Sequence, residues 1–493
     1  MNSEFFDVVI VGAGLSGIGA ACHLQQQCPG KSYLILEGRD ASGGTWDLFR
    51  YPGIRSDSDM HTLGYNFKPW KESKAIADGP AILKYIRETA AEHNVNDNIR
   101  YGHRVVSASW SSEDACWAIS VQKSDGENRV IRCNLLLMCS GYYNYEHGYL
   151  PDFEGQERFS GQIVHPQFWP GDLDYTGKKV VVIGSGATAM TLIPAMAKDV
   201  EHIVMLQRSP TYVISFPDED LVANVLRALL PEKWAYAITR WKNINFQQWM
   251  YSQTRKRPAT VKRLLLHRVR KELGKDYDVE KHFTPAYNPW DQRLCLVPNS
   301  DLFAAIRSGK ASVATDEIDT FTETGIRLRS GEELEADIIV TATGLDLLVL
   351  GDVAFSVDGE PVDFSRTITY KGMMMSGVPN LVSTFGYVNA SWTLRADLIA
   401  EWFSRLVNHM DAVGARQCTP TLSDEDRNMA LKPYIMNFLS GYIQRVLEQL
   451  PRQGDRAPWA NPQNYIHDRK MFREGPIDDG ALVFSDETRR ECA

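Results

Sequence analysis

Asp7-Val-Val-Ile-Val-Gly12-Ala-Gly14-Leu-Ser-Gly17 is the stretch that decides how this chain folds. Four β-branched residues in a row, bounded by glycine, predict a parallel strand buried on both faces. Gly12 permits a tight turn, Gly14 lets the backbone approach a pyrophosphate, and Gly17 lets the next helix pack on the strand. That helix, expected over Leu15 to Gln27, points its free N–H groups at the phosphates, and Ser16 sits in its first turn. Ser32-Tyr-Leu-Ile-Leu-Glu37 predicts the second strand, which Glu37 ends 25 residues after Gly12. A carboxylate there accepts hydrogen bonds from the hydroxyls of an unphosphorylated ribose. The glycines alone are a weak signal. Strand, loop, helix, strand and terminal acid together specify a dinucleotide unit.

The pattern recurs. Lys178-Lys-Val-Val-Val-Ile-Gly184-Ser185-Gly186-Ala187-Thr188-Ala189 repeats strand, loop and helix, and His202-Ile-Val-Met-Leu-Gln207 is the second strand. Here the terminal acid is replaced by Arg208-Ser209, with Thr211 close behind. A carboxylate would repel a 2′-phosphate, whereas an arginine fork and hydroxyls bind one. The first unit therefore suits FAD and the second NADPH rather than NADH. Arg208 also reads as a solvated surface cation.

Two further stretches frame these units. Gly43-Gly44-Thr45-Trp46-Asp47-Leu-Phe-Arg-Tyr51-Pro52-Gly53-Ile-Arg55-Ser56-Asp57 is a loop of special-geometry residues, aromatics and charges, a makeup that carries function. Asp57 also reads as a helix cap or turn residue. Phe159-Ser-Gly161-Gln-Ile-Val-His165-Pro-Gln-Phe-Trp169-Pro170 lies between the two glycine loops, placed to control how two cofactors meet, and equally readable as an interdomain linker with a packed Trp. Asn288-Pro289-Trp290-Asp291-Gln292-Arg293 sets a cation among Pro, Trp and apolar residues, which is costly unless an anion pairs with it. The anion is either a ligand or a carboxylate such as Asp291 or Asp301.

The chain has 493 residues and a net charge of −9. The length suggests about three domains. The acidity argues against nucleic acid, which needs a concentrated basic face. Eight cysteines occur without a Cys-x-x-Cys, which predicts free thiols in a reducing cytoplasm and no metal site. No basic leader or 18-residue apolar run is read, so neither a signal peptide nor a membrane span is expected. Helices are expected from Ala81 to about His93, over Leu221 to Leu230, Trp234 to Ser252 and Val261 to Leu273, and from about Thr393 with Ser391 as N-cap. A hairpin is expected over Arg100 to Gln122. Arg255 to Lys271 holds eight Lys/Arg and no acid. A solvated basic face is the favoured reading there, with weak peripheral membrane contact as the alternative. Monomer and dimer are both compatible with the sequence.

The division expected is 1–155 and 376–493 for the FAD-binding domain, 156–170 for a linker, 171–214 and 288–375 for the NADPH-binding domain, and 215–287 for a helical insertion. The fold class is α/β, with two dinucleotide-binding (Rossmann-like) domains and that insertion in the second.

Taken together, the Gly43–Asp57 and Phe159–Pro170 motifs resemble both fingerprints of the Baeyer–Villiger monooxygenases, within the class B flavin monooxygenases. The wording of CSGYYNY, IGSGATA, LQRSPTY and NPWDQRLCLVPN looks most like the ethionamide-activating branch. The resemblance implies that NADPH reduces FAD by hydride transfer and that O2 adds at flavin C4a. The resulting peroxide converts a ketone to an ester, and sulfides or thioamides are also oxygenated. N or S oxygenation without ketone oxidation is the rival. The resemblance also implies that Gly44, Thr45, Trp46, Asp47, Arg55, Ser56 and Asp57 run along the flavin, that Val105 contacts adenine, and that Arg293 faces the flavin with Asp57 holding it. Gln292 stands where many relatives carry a Lys on NADPH. His165 becomes a hinge residue, and Trp459 and Asn464 fit a Trp and Asn of the NADP site.

Overall fold

The computed structural model describes residues 4–436 and 438–486. Its elements, in chain order, begin with β1 (Glu4–Val11), α1 (Leu15–Gln27), β2 (Tyr33–Leu36), β3 (His103–Ser111), β4 (Cys116–Lys123), β5 (Asn128–Met138) and β6 (Tyr143–Gly148). There follow β7 (Gln162–Val164), β8 (Lys179–Ile183), α2 (Ala187–Met196), β9 (His202–Gln207), α3 (Leu221–Leu229), α4 (Glu232–Lys256) and α5 (Pro258–Leu273). The rest that matter here are β10 (Ala311–Thr315), β11 (Ile338–Thr341), β12 (Leu345–Leu347), β13 (Ala354–Val357), β14 (Leu381–Ser383) and α6 (Trp392–Val413).

Two α/β sheets carry the fold. In the first, β1 lies between β5 and β2, all parallel, and β5 continues through β4 and β3 to β13. Side chains alternate across β1. Val8 and Ile10 enter a core with α1 and α6, while Val9 and Val11 enter another with Trp117 and Leu136. The second sheet runs β10-β9-β8-β11-β7, and its neighbours pair in parallel. Val180 and Val182 of β8 face one core, Val181 and Ile183 the other. Burial on both faces is why these strands are continuous β-branched runs rather than alternating ones.

Three expectations change. The stretch expected as a linker is built into the second sheet, where Gln162, Ile163 and Val164 pair with Ile338, Ile339 and Val340 as an edge strand. Gly161 and Pro166 bracket a run too short to show a period, so only the nonlocal partner reveals it. Residues 354–357, expected with the second unit, pair with Ser107 to Trp110 and so belong to the first sheet. Ser391 does precede α6, but its side chain caps nothing there. Its hydroxyl instead meets the Thr62 hydroxyl at 2.6 Å.

Described cysteines Cys22, Cys28, Cys116, Cys133, Cys139, Cys295 and Cys418 are unbridged and buried. Cys492 lies outside the described residues. Among the described residues no helix is long and apolar enough to cross a membrane.

Candidate functional site

The carboxyl ends of both parallel sheets open on one cavity of about 1140 Å³. Ligands of open α/β sheets bind at such ends. Both glycine loops line it.

In the first loop Gly12 holds φ +104°, where a Cβ would meet the Cys139 carbonyl oxygen at 2.6 Å. A Cβ on Gly17 would lie 1.9 Å from the Gly12 carbonyl oxygen. Gly14 faces Gly44 of the following loop, so a Cβ on Gly14 would touch the Gly44 Cα at 3.5 Å. The two loops thus meet glycine to glycine. Helix α1 starts at Gly14 with no side-chain cap, which leaves its first amides free beside the cavity. Ser16 is on the wall, accepting a 2.7 Å hydrogen bond from the Trp392 indole. Glu37 accepts from the Ala13 and Arg39 amides at 2.8 and 3.0 Å. Burial pushes its carboxyl above the ordinary range, and those amides oppose the shift.

In the second loop Gly184 holds φ +129°, pressed on the Ala342 carbonyl. A Cβ added at Gly186 meets nothing within 4 Å, so the space before the uncapped N-terminus of α2 is open to a pyrophosphate. Ser185, Ala187, Thr188, Arg208 and Ser209 share this wall. The Ser185 hydroxyl lies 3.0 Å from that of Thr211 and 3.4 Å from the Ser209 carbonyl. Arg208 is exposed on the rim and has no ion-pair partner among the described residues. The two acids nearby are engaged, Asp316 by the Ser330 amide and Glu317 by Arg329.

Between the loops stands Arg293. Its Nε lies 3.1 Å from Asp57 Oδ2, and each side chain is 36 % exposed and lines the cavity. The other two acids proposed as structural partners are taken, Asp291 by Arg255 at 2.8 Å and Asp301 by Arg55 at 2.5 Å. The Asp57 charge, more than any other group, favours the protonated guanidinium. Arg293 just precedes the strand Cys295–Pro298, which pairs with Val213–Phe216. Upstream, Trp290 is held at φ +69°, in the left-handed region a bulky residue avoids. Its loop is tied by Asp291 to Arg255 and by the Leu439 amide to the Asp291 carbonyl at 2.7 Å.

Three phenols surround the guanidinium. Tyr142 and Tyr143 hydroxyls are 3.1 Å apart, and Tyr442 lines the same wall. Burial pushes Tyr143 up to about 12 and raises Tyr442 too, with the Arg293 charge opposing. Sequence reading missed these roles. Tyr142 and Tyr143 follow the glycine turn at the end of β5, where the strand-end rule could have found them. Tyr442 lies in a stretch with no local signal.

Not every candidate reaches the cavity. Thr45, Trp46, Arg55, Ser56 and Val105 do. Gly17 is used for helix packing. Asp47 turns inward, where Arg39 and Arg87 each hold it at 2.8 Å and Arg50 at 3.5 Å. Ala189 is fully buried in the second core. Trp459 packs beside Tyr370, and Asn464 caps the helix Tyr465–Glu474; neither lines the cavity.

The fingerprint stretch touches the wall indirectly. His165 Nδ1 accepts from the Gln167 amide at 3.2 Å, and the Gln167 side chain donates to the Asn144 carbonyl of β6 at 2.7 Å. The His165 ring lies against Gly148, where a Cβ would come within 2.1 Å of it.

A model of the flavin-binding monooxygenase-like family matches residues 74–358, and one of the NAD(P)-binding Rossmann-like domain matches residues 10–75. FAD-containing monooxygenase EthA of Mycobacterium tuberculosis is 53 % identical over 98 % of this chain and 98 % of its own. Putative FAD-containing monooxygenase MymA of the same organism is 50 % identical over 98 % of each. In fold, the chain resembles an oxidized steroid monooxygenase bound to NADP, with TM-score 0.78 and 22 % identity over 97 % of this chain and 99 % of that one.

Proposed function

The chain belongs to the flavin-binding monooxygenase-like family, and from that premise we propose that it uses FAD, NADPH and O2 to oxidise ketones to esters and to oxygenate sulfides and thioamides. The observation that carries the ketone reading is the Arg293–Asp57 pair on the wall of the cavity both glycine loops share.

The residues present fit both cofactors. The first loop, with free α1 amides and Glu37, suits the pyrophosphate and unphosphorylated ribose of FAD. The open space at Gly186, with Arg208, Ser209 and Thr211, suits the 2′-phosphorylated adenosine of NADPH. We assign the first sheet to FAD and the second to NADPH, with 162–164 moved to the second and 354–357 to the first. Bound FAD, once reduced by NADPH, supplies oxygen transfer. Arg293 keeps its charge at any working pH and stabilises negative charge as it develops on substrate oxygen. Asp57 orients that guanidinium. The hydroxyls of Tyr143 and Tyr442, held protonated by burial, donate hydrogen bonds to the same oxygen. Tyr142, stacked on Trp392 at 5.1 Å, helps to keep water out.

The test is to purify the yellow holoenzyme and run a panel of ketones and sulfides, reading NADPH consumption and product mass. Ester from ketones supports the reading. Oxygenation of sulfides and amines alone replaces it with N/S oxygenation.

A further inference from the structure

Helices α3 and α4 turn apolar side chains away from the protein. On α3, Leu221, Val225 and Leu229 recur every fourth residue and are 57–74 % exposed. On α4, Trp234, Trp241 and Trp249 are 66 %, 63 % and 59 % exposed. The other side of α4 is committed. Ala235, Tyr236 and Thr239 are buried, and Arg240 Nη1 donates to the His61 and Gly64 carbonyls at 2.8 and 2.7 Å. Lys242 holds Asp220 at 2.6 Å, which sets the start of α3 beside the middle of α4 and makes the two an antiparallel hairpin. Isolated exposed apolar residues are ordinary, but six large ones on one hairpin are a patch that marks an interaction site.

The charge beside this patch identifies what it meets. Residues 255–271, which close α4 and make up most of α5, carry eight Lys/Arg without an acid, in a chain whose net charge is −9. Arg255 and Arg270 are paired with Asp291 and Glu280. Lys256, Arg257, Arg263 and Lys271 are exposed and have no ion-pair partner among the described residues. Unpaired cations next to a tryptophan-studded apolar ridge complement a surface that is anionic at its face and apolar beneath. Tryptophan settles at that boundary because its ring is amphipathic.

We propose that the α3–α4 hairpin docks on anionic lipid bilayers, with its tryptophans at headgroup level and the cations of 256–271 on the lipid phosphates. The contact is peripheral. It reverses the sequence-based preference for a solvated basic face, because the apolar ridge beside that face is visible only once the helices are packed.

The experiment is co-sedimentation of the FAD-loaded full chain with phosphatidylcholine vesicles, with and without phosphatidylglycerol, at low and high salt. The wild type is expected to sediment with anionic vesicles at low salt and to be released by high salt. Trp234→Ser with Trp241→Ser, and separately Arg263→Glu with Lys271→Glu, each lower binding about tenfold or more. NADPH oxidation in solution stays at the wild-type level in both. No binding to anionic vesicles overturns the proposal, as does equal binding to neutral ones. It is also overturned if light scattering finds a dimer that the tryptophan pair of substitutions turns into a monomer, with no vesicle binding.

Discussion

Arg293 Nε stands 3.1 Å from Asp57 Oδ2, and the two residues arrive from loops that serve different sheets. The pair therefore exists only when both halves of the fold are in place. Because each side chain is more than a third exposed, its worth lies in aiming a charge rather than in stability.

Arg293→Ala is expected to keep NADPH-driven flavin reduction, followed by absorbance in rapid mixing, and to lower ester formation about 10²–10³-fold. Unchanged ester yield by product mass would remove Arg293 from the chemistry.

For Arg208→Ala, the Michaelis constant for NADPH is expected to rise about tenfold or more while that for NADH moves little, since only one coenzyme carries the 2′-phosphate. Steady-state kinetics with both coenzymes decide it, and equal effects would reject the phosphate role.

Gly17→Ala and Gly186→Ala should part company. The first forces a Cβ to 1.9 Å from the Gly12 carbonyl, so thermal unfolding should show a loss of roughly 1–3 kcal/mol together with FAD release. The second meets nothing within 4 Å, so the melting temperature should hold while NADPH binding weakens. A normal melt for Gly17→Ala would contradict the packing described.

Burial lowers the His165 pKa from 6.5. The unfolded chain thus takes up a proton near pH 6.5 that the folded protein resists. Stability from neutral His165 is complete above that pH and is lost as pH falls through it toward the folded value. His61 shifts the same way, also by burial. His165→Gln should flatten the fall in melting temperature between about pH 7.5 and 5.5. An unchanged slope in calorimetric scans would assign it to other groups.

Where the sequence was read correctly, the signal was local. Leu15–Gln27 emerges as a helix with those bounds because Gly14 and the end of the apolar pattern fix it from within. The glycine loops announce themselves because each glycine meets a steric demand a few residues away. The misses are long-range. Asp47 looked like a flavin-loop residue because Arg87, which holds it inward together with the nearby Arg39 and Arg50, lies 40 residues further on. The edge strand Gln162–Val164 depends on a partner at 338–340. Tyr442 reaches the guanidinium only through the packing of Tyr434, Ile443 and Leu450 with Leu347 of β12.

The crossings between the two sheets limit how this protein can be cut. A fragment spanning 171–375 would leave β11 without its edge partner, and would carry off β13 with its ladder to β3 broken. Exchanging the coenzyme-binding half with a relative's is therefore not a single-cassette operation. A chimaera that folds must take residues from 159 onward with the graft and leave 354–357 with the host.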